Sequence, residues 1–201
     1  MAHATREAWL TAGIELLRPH FEAAGYTVPE NVKVTCGWPS KSALSVKRQA
    51  IGECWSDDAS AGKVFEMFIS PTLAEPVGVL ATLTHELVHA TVGLAAKHRG
   101  PFKRCAIAVG LEGKMRSTHA GDKLRAVLDG YATELGEYPH KELRNMTNGQ
   151  RKQGARLVKA ECECCAYTVR VTRKWLDMAG APLCPMDGCD KHGQPLTVVE
   201  G

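Results

Sequence analysis

Several common features are missing from this 201-residue sequence. No apolar run is long enough to span a bilayer, and the first residues lack the cationic stretch and apolar segment of a secretory signal. There is no glycine-rich loop that could cradle a phosphate. These absences predict a cytoplasmic protein without a membrane partner. The net charge of +3 does not by itself imply nucleic acid.

The composition is that of an ordinary globular chain. Hydrophobic residues make up 44% and charged residues 23%, and the length suffices for one core plus a small module. Five of the eight cysteines cluster near the C-terminus. In a chain expected in the cytoplasm, such a cluster favours a metal site over disulfides.

The strongest motif is THELVHA, from Thr84 to Ala90. In a helix, His85 and His89 lie four residues apart on one face, with Glu86 beside them. Two imidazoles can then bind one zinc ion, and a carboxylate can activate the zinc-bound water. Apolar residues surround the motif, which predicts a buried helix. We therefore predict a metal site of the zincin type.

A zinc site with two histidines needs a third protein ligand. The metzincin pattern would place glycine at position 92 and histidine at position 95, but the chain has Val92 and Ala95. A carboxylate from a later helix is another option, with Glu112 or Glu134 as candidates.

His98 is the favoured third ligand. Gly93 can end the motif helix, and Gly100-Pro101 can begin the next one. His98 then lies in a tight link that can fold back on the metal.

The remaining elements predict an α+β fold. Strands are expected near residues 32–35, 50–55 and 64–69, and helices at 4–24, 102–111 and in the segment that starts near residue 124. An edge strand beside the motif helix could pair with an extended substrate. Residues 115–120 are predicted to form a loop. His119, Tyr131 and Tyr138 are candidate oxyanion donors, although nothing in the sequence selects one.

The C-terminal cysteines form two pairs, Cys162 with Cys165 and Cys184 with Cys189. A hairpin is predicted between the pairs, around residues 167–171. Two such pairs predict a zinc ribbon, in which a structural zinc replaces a core that so short a segment cannot build. Cys164 or His192 could replace one of the ligands.

Basic residues occur in two places near the C-terminus. The polar segment 137–156 contains Lys141, Arg144, Arg151, Lys152 and Arg156 and is interpreted as a linker. The ribbon carries a basic face with an aromatic residue, a composition typical of nucleic-acid contacts but also found in ordinary small domains. Its members are Arg170, Arg173, Lys174 and Trp175.

Together these stretches resemble the SprT-like (Spartan-type) zinc metallopeptidases. The resemblance lies in TLTHELVHATVGLAAKHRGPFKRCA, in the preceding CWSDDASAGKVFEMFISPTL, and in the cysteine-rich segment, and it covers about residues 50–112 and 157–200. The chain departs from the family in having an extra residue between His98 and Gly100. The spacing from His89 to His98 is also shorter than in cellular Spartan proteins, as in compact bacterial and phage members.

The resemblance implies a zincin-like domain over 1–136, with helices packed on a small antiparallel or mixed sheet. A linker over 137–156 and a zinc-ribbon module over 157–201 would follow. The implied activity is cleavage of DNA-bound or DNA-crosslinked proteins by a zinc endopeptidase in a bacterial or phage-infected cell. It implies a catalytic zinc on His85, His89 and His98, with Glu86 as the base. Two alternatives remain: a non-catalytic DNA- or protein-binding module, and a peptidase unrelated to DNA.

Overall fold

The computed structural model describes residues 3–43, 45, 49–144 and 157–199. The chain forms two compact units, Met1–Met146 and Thr147–Gly201. The predicted domains 1–136 and 157–201 lie one in each unit. Residues 145–156 of the predicted linker, with Arg151, Lys152 and Arg156, lie outside the described residues. In the described part, no helix combines the length and apolar character needed to cross a membrane.

The first unit contains four helices and five short strands within the described residues. Short 3₁₀ turns at Asp57–Ala59 and Leu94–Ala96 lie in two of its connections. In chain order the elements are α1 Arg6–Ala23, β1 Val32–Cys36, β2 Gly52–Trp55, β3 Phe65–Ile69, α2 Pro76–Val92, α3 Gly100–Ala108, β4 Leu111–Lys114, β5 Ser117–Ala120 and α4 Asp122–Leu135.

Three of these strands form a mixed sheet in the order β1-β3-β2. β1 runs parallel to β3, and β2 runs antiparallel to it. On β3, Met67 and Ile69 are buried against the helices, whereas the alternate residues point to the opposite face of the sheet. β2 lies at one end of the strand order, so within the described residues it is an edge strand of this sheet.

Helix α2 confirms the prediction for the motif segment. The Glu75 carboxylate accepts hydrogen bonds from the N–H groups of Val77 and Gly78, and Pro76 occupies the first turn. Gly93 follows the helix with a φ of +78°, a conformation that favours glycine. Ten side chains of α2 are buried, so its position is fixed by packing on nearly every side.

The core of the first unit lies between α2, α1, α4 and the inner face of the sheet. The amphipathic helix predicted for the N-terminal segment is confirmed as α1. The largest fully buried side chains come from all of these elements, from α3 and from the start of β4: Trp9, Leu10, Leu17, Phe21, Met67, Ile69, Leu80, Leu83, Leu87, Phe102, Leu111 and Leu124.

The prediction of a loop at residues 115–120 is wrong. This segment forms the antiparallel hairpin β4–β5, in which Leu111 lies opposite Ala120 and Lys114 opposite Ser117. Its strands have only four residues each and are mostly polar, so they lack the apolar alternation by which strands are detected.

The second unit is a three-stranded antiparallel sheet in the order β7-β6-β8, with one short helix. Its elements are β6 Leu157–Glu161, β7 Thr168–Thr172, α5 Arg173–Ala179 and β8 Thr197–Val199. The prediction of a hairpin between the two cysteine pairs is wrong, because β7 is followed by the helix α5 and not by a second strand. The hairpin instead joins β6 to β7, and the first cysteine pair lies in its turn. Over the described residues, the chain is thus an α+β protein with five helices and small sheets.

Arg6 connects the start of α1 to the segment after α4. Its guanidinium donates to the carbonyls of Pro139 at 2.9 Å and Lys141 at 2.7 Å, and it lies over the Tyr138 ring. We expect Arg6→Ala to lower the free energy of unfolding by about 2–4 kcal/mol, because it removes a buried side chain and leaves two part-buried carbonyls without their donor. Urea unfolding would measure this. The matched variant of the exposed Arg125, Arg125→Ala, should change stability by no more than about 0.5 kcal/mol, and an equal loss in both would contradict the prediction.

Candidate functional site

Three histidines of the first unit point their Nε2 atoms at one another. His85 and His89 come from one face of α2, and His98 comes from the link to α3. The His98 Nε2 atom lies 3.3 Å from that of His85 and 3.2 Å from that of His89. The structure therefore brings together the three residues predicted as ligands, and they could hold a metal ion.

The spacing of these nitrogen atoms fits a tetrahedral metal. Zinc–nitrogen bonds of about 2.0–2.1 Å give a nitrogen–nitrogen edge of about 3.3–3.4 Å in a regular tetrahedron. Burial, with a contribution from neighbouring imidazoles, lowers the pKa of His85 to about 4 and that of His89 to about 3. Neutral imidazole is the form that binds metals, because its nitrogen lone pair is free.

The link between α2 and α3 turns sharply just before His98. Lys97 has φ +49° and ψ −129°, a backbone conformation that residues other than glycine rarely adopt. Strain of this kind persists only where the surrounding structure holds it, and here it aims the His98 ring at the motif helix. Glu112 lies on β4 and Glu134 on α4, and neither belongs to the metal-binding group.

Two further residues support the histidines. The Phe102 ring is fully buried, and its centroid lies 5.0, 4.5 and 4.9 Å from those of His85, His89 and His98. Thr118 on β5 places its hydroxyl 2.8 Å from Nδ1 of His85. Neither role is predicted from the sequence. Thr118 carried no signal, because its hairpin was not predicted.

Glu86 lies on α2 beside the histidines, but it is not one of the three grouped residues. Its side chain is only 5% exposed. Burial, with a smaller contribution from Glu53, raises the pKa of this carboxyl to about 8. A Cβ atom at position 52 would overlap the Glu86 carboxylate, so the glycine at the start of β2 lets the strand pass directly over it. A buried carboxyl group is thus held next to an edge strand.

The open side of β2 presents backbone groups at this point. The Ser70 N–H donates to the Ile51 carbonyl at 2.9 Å, so residues 51 and 70 form a hydrogen-bonded pair. Such pairs alternate along an antiparallel ladder, and Gly52 and Cys54 therefore direct their N–H and C=O groups away from β3. An extended peptide could pair with them.

The three candidate oxyanion donors lie away from the histidine group, on elements other than α2. His119 is exposed on β5, next to Thr118. Tyr131 lies on α4, and Tyr138 packs edge-on against Trp9 in the core. None of the three is among the residues in contact with the histidine rings.

Four cysteines of the second unit form the other possible metal site. The thiol sulfur atoms of Cys162, Cys165, Cys184 and Cys189 all lie within 4.8 Å of one another. The distances are 3.7 Å from Cys162 to Cys189 and 3.6 Å from Cys165 to Cys184. Zinc–sulfur bonds of about 2.3 Å imply sulfur–sulfur edges of about 3.8 Å, whereas a disulfide would require about 2.05 Å. The arrangement fits one tetrahedral metal ion.

Backbone N–H groups around these sulfur atoms favour the thiolate form. The N–H groups of Cys165 and Cys164 are the main cause that lowers the pKa of Cys162 to about 6. The backbone N–H groups near Cys184 and Cys189 act in the same direction, but burial and the neighbouring thiols raise the pKa of both groups overall. The Lys191 N–H lies 3.4 Å from the Cys189 sulfur. Cys164 is exposed and lies outside the group. The His192 ring contacts the Met186 carbonyl and the Asp187 carboxylate, and it is not part of the group either.

The predicted basic face lies on β7 and α5. Arg170 is exposed on β7, and Arg173, Lys174 and Trp175 are exposed in the first turn of α5. The Lys174 ammonium lies 5.5 Å from the centre of the Trp175 ring. The indole is 55% exposed. The four residues thus lie close together in the chain on a solvent-facing surface.

Comparisons of the chain with protein-family models, with curated proteins and with solved structures find no match. A function can thus be inferred from the two groups of side chains that could hold a metal ion, together with Glu86 and the edge strand β2.

Proposed function

We propose that the chain is a zinc-dependent endopeptidase of the SprT-like type that cleaves proteins bound or crosslinked to DNA. One observation carries the proposal. Three imidazoles converge at the spacing of a tetrahedral metal, while the buried carboxylate of Glu86 lies beside them without joining the group. A site that served structure alone would have no use for that carboxylate.

The chemical roles proposed for zinc and for Glu86 follow from the three imidazoles and the neighbouring carboxylate. When bound to three histidines, zinc acidifies water and polarises a carbonyl group. Glu86 accepts the water proton on its carboxylate and later delivers it to the leaving amine. Burial raises the pKa of this carboxyl to about 8. The group can accept a proton only when it is ionised, and the positive charge of a zinc ion on the neighbouring histidines would favour that form.

The edge strand supplies a means of positioning the substrate. A peptide in extended form would pair with the outward N–H and C=O groups of Gly52 and Cys54. Because Gly52 lies against Glu86, the paired backbone would pass next to the carboxylate. Only an unfolded or flexible segment can adopt this pairing, so we expect the substrate to be cleaved in such segments.

The second unit supplies the proposed link to DNA. The group of four cysteines would hold a structural zinc, and the basic face on β7 and α5 would contact phosphates, with Trp175 available to stack on a base. These contacts must weaken as salt rises, because bound cations are released from DNA when a protein neutralises its phosphates.

The test is cleavage of a DNA-binding protein by the purified zinc-loaded chain, with and without DNA. We expect cleavage that requires DNA and declines with added salt. Cleavage that proceeds equally without DNA would retain the peptidase and remove the DNA-directed role. No cleavage under any condition, with two zinc ions still bound per chain, would favour a non-catalytic binding module.

The hydroxyl of Thr118 should set the zinc affinity of the histidine group. Removing a hydrogen-bond partner behind a metal-bound histidine typically lowers metal affinity about 10- to 100-fold. We expect a loss in this range for Thr118→Val, which keeps the side-chain shape but leaves Nδ1 of His85 unpaired. Competition with a chromogenic zinc chelator would measure it. Ser117→Ala, on the exposed neighbouring residue, should bind zinc normally; unchanged affinity in Thr118→Val would contradict the role.

A further inference from the structure

The outer face of the β1-β3-β2 sheet carries a cavity of about 400 Å³. This is the face opposite Met67 and Ile69, so it lies on the other side of the sheet from the core and from Glu86. The cavity is lined by aromatic and acidic side chains, including Trp38, Trp55, Phe68, Glu53 and Glu66.

The floor of the cavity alternates acidic and aromatic side chains. Across the β2–β3 ladder, Glu53 lies opposite Phe68, and Trp55 lies opposite Glu66. Because directly opposed residues share one face of a sheet, the four side chains form a single surface. Gly37 brings the chain against the Phe68 ring, where a Cβ atom would lie only 3.1 Å away, and so places Trp38 at the side of this surface.

The two carboxylates of the cavity are held differently. Glu53 is fixed by Ser40, whose N–H and hydroxyl donate to it at 2.7 and 2.6 Å. In the described part of the chain, no basic group lies within ion-pair distance of Glu66. Lys33 is its neighbour in the β1–β3 register, but their charged groups do not form an ion pair. Among the residues that the structure describes, nothing competes with a ligand for the Glu66 carboxylate.

The indole rings narrow the choice of ligand. Trp38 is 41% exposed and Trp55 is 43% exposed, a large apolar area for a protein to leave in water. Aromatic faces attract organic cations, and two nearby carboxylates repel phosphates and other anions. An occupant that satisfies both has an apolar stem and a cationic end. Lysine and arginine side chains have this form.

We propose that this cavity binds a lysine or arginine side chain of a polypeptide. The cavity can serve this role whether or not the chain cleaves peptides. A consequence for cleavage rests on the proposed function. Alternate residues of a peptide paired with β2 would project onto the face that carries Glu53 and Trp55. A basic residue at one of these positions would enter the cavity and fix the register of the substrate. Proteins that bind DNA are rich in such residues.

The experiment measures peptide binding to the full chain carrying Glu86→Gln, so that its result is independent of cleavage. Three six-residue peptides, blocked at both ends, share one sequence and differ only in a central lysine, arginine or Nε-acetyl-lysine. Acetylation keeps the stem and removes the charge. We expect the lysine and arginine peptides to bind about tenfold more tightly than the acetylated one, by calorimetry or tryptophan fluorescence.

Variants then locate the effect in the cavity. Glu66→Gln, which changes the charge but little of the shape, should remove most of the tenfold difference, and Trp55→Leu should do the same. Glu22→Gln makes the same charge change at an exposed position of α1 and should leave the difference intact. Equal binding of the three peptides, binding of none, or a preference that survives Glu66→Gln would each overturn the proposal. Thermal unfolding of each variant checks that its fold is retained.

Discussion

Glu86→Gln should abolish peptide cleavage by the zinc-loaded chain while leaving the zinc in place. The amide keeps the size of the side chain but cannot accept the proton from water. Loss of a general base typically costs a factor of about 10²–10⁴ in rate. Zinc content should not change, because the group that could hold the metal consists of three imidazoles and Glu86 is not part of it. A cleavage assay with a labelled protein substrate, together with metal analysis of the same sample, would measure both quantities.

Glu134→Gln is the matched control for this variant. Glu134 is exposed on α4 and lies outside the histidine group. The variant should cleave at the normal rate and bind zinc normally. Retained cleavage in Glu86→Gln would remove the proposed base. Lost zinc in the same variant would instead show that the carboxylate is a ligand.

Cys184→Ser should unfold the second unit. Beyond the metal group, this unit buries little, chiefly Ala160 and Leu196. Metal binding by such sites contributes an apparent free energy of about 10–16 kcal/mol, far more than so small a core can supply. The variant should lose one equivalent of zinc per chain and become sensitive to limited proteolysis after residue 157. Mass spectrometry of the digest would show the first unit intact.

Cys164→Ser provides the comparison within the same turn. Cys164 is exposed and lies outside the group of four, so its replacement should leave zinc content and protease resistance unchanged. If Cys164→Ser lost zinc and Cys184→Ser did not, the ligand set would have to be revised to include Cys164.

Local patterns made the central helix and its histidines predictable. A spacing of four residues, an acidic cap at Glu75 and a glycine at position 93 are all contained within one short segment. His98 could be predicted for the same reason, because it lies only nine residues from His89. The four cysteines were recognisable from their paired spacing alone.

Contacts between distant parts of the chain could not be predicted in this way. Thr118 meets His85 across 33 residues, through a hairpin whose short polar strands resemble a loop. The passage of Gly52 over Glu86 depends on how the sheet packs against α2, and a single glycine in a strand does not indicate its partner. The short helix α5 was missed because it follows a strand without a separating turn signal.

The fully buried ring of Phe102 touches all three imidazoles, and this sets the histidine group apart from the cysteine group. Apolar packing already restrains His85, His89 and His98, so the entropy of ordering them is lost when the first unit folds. Metal release there need not unravel the chain. When zinc is scarce, we expect the empty histidine site to stay folded and to bind zinc again without refolding. The cysteine unit would have to be refolded or degraded.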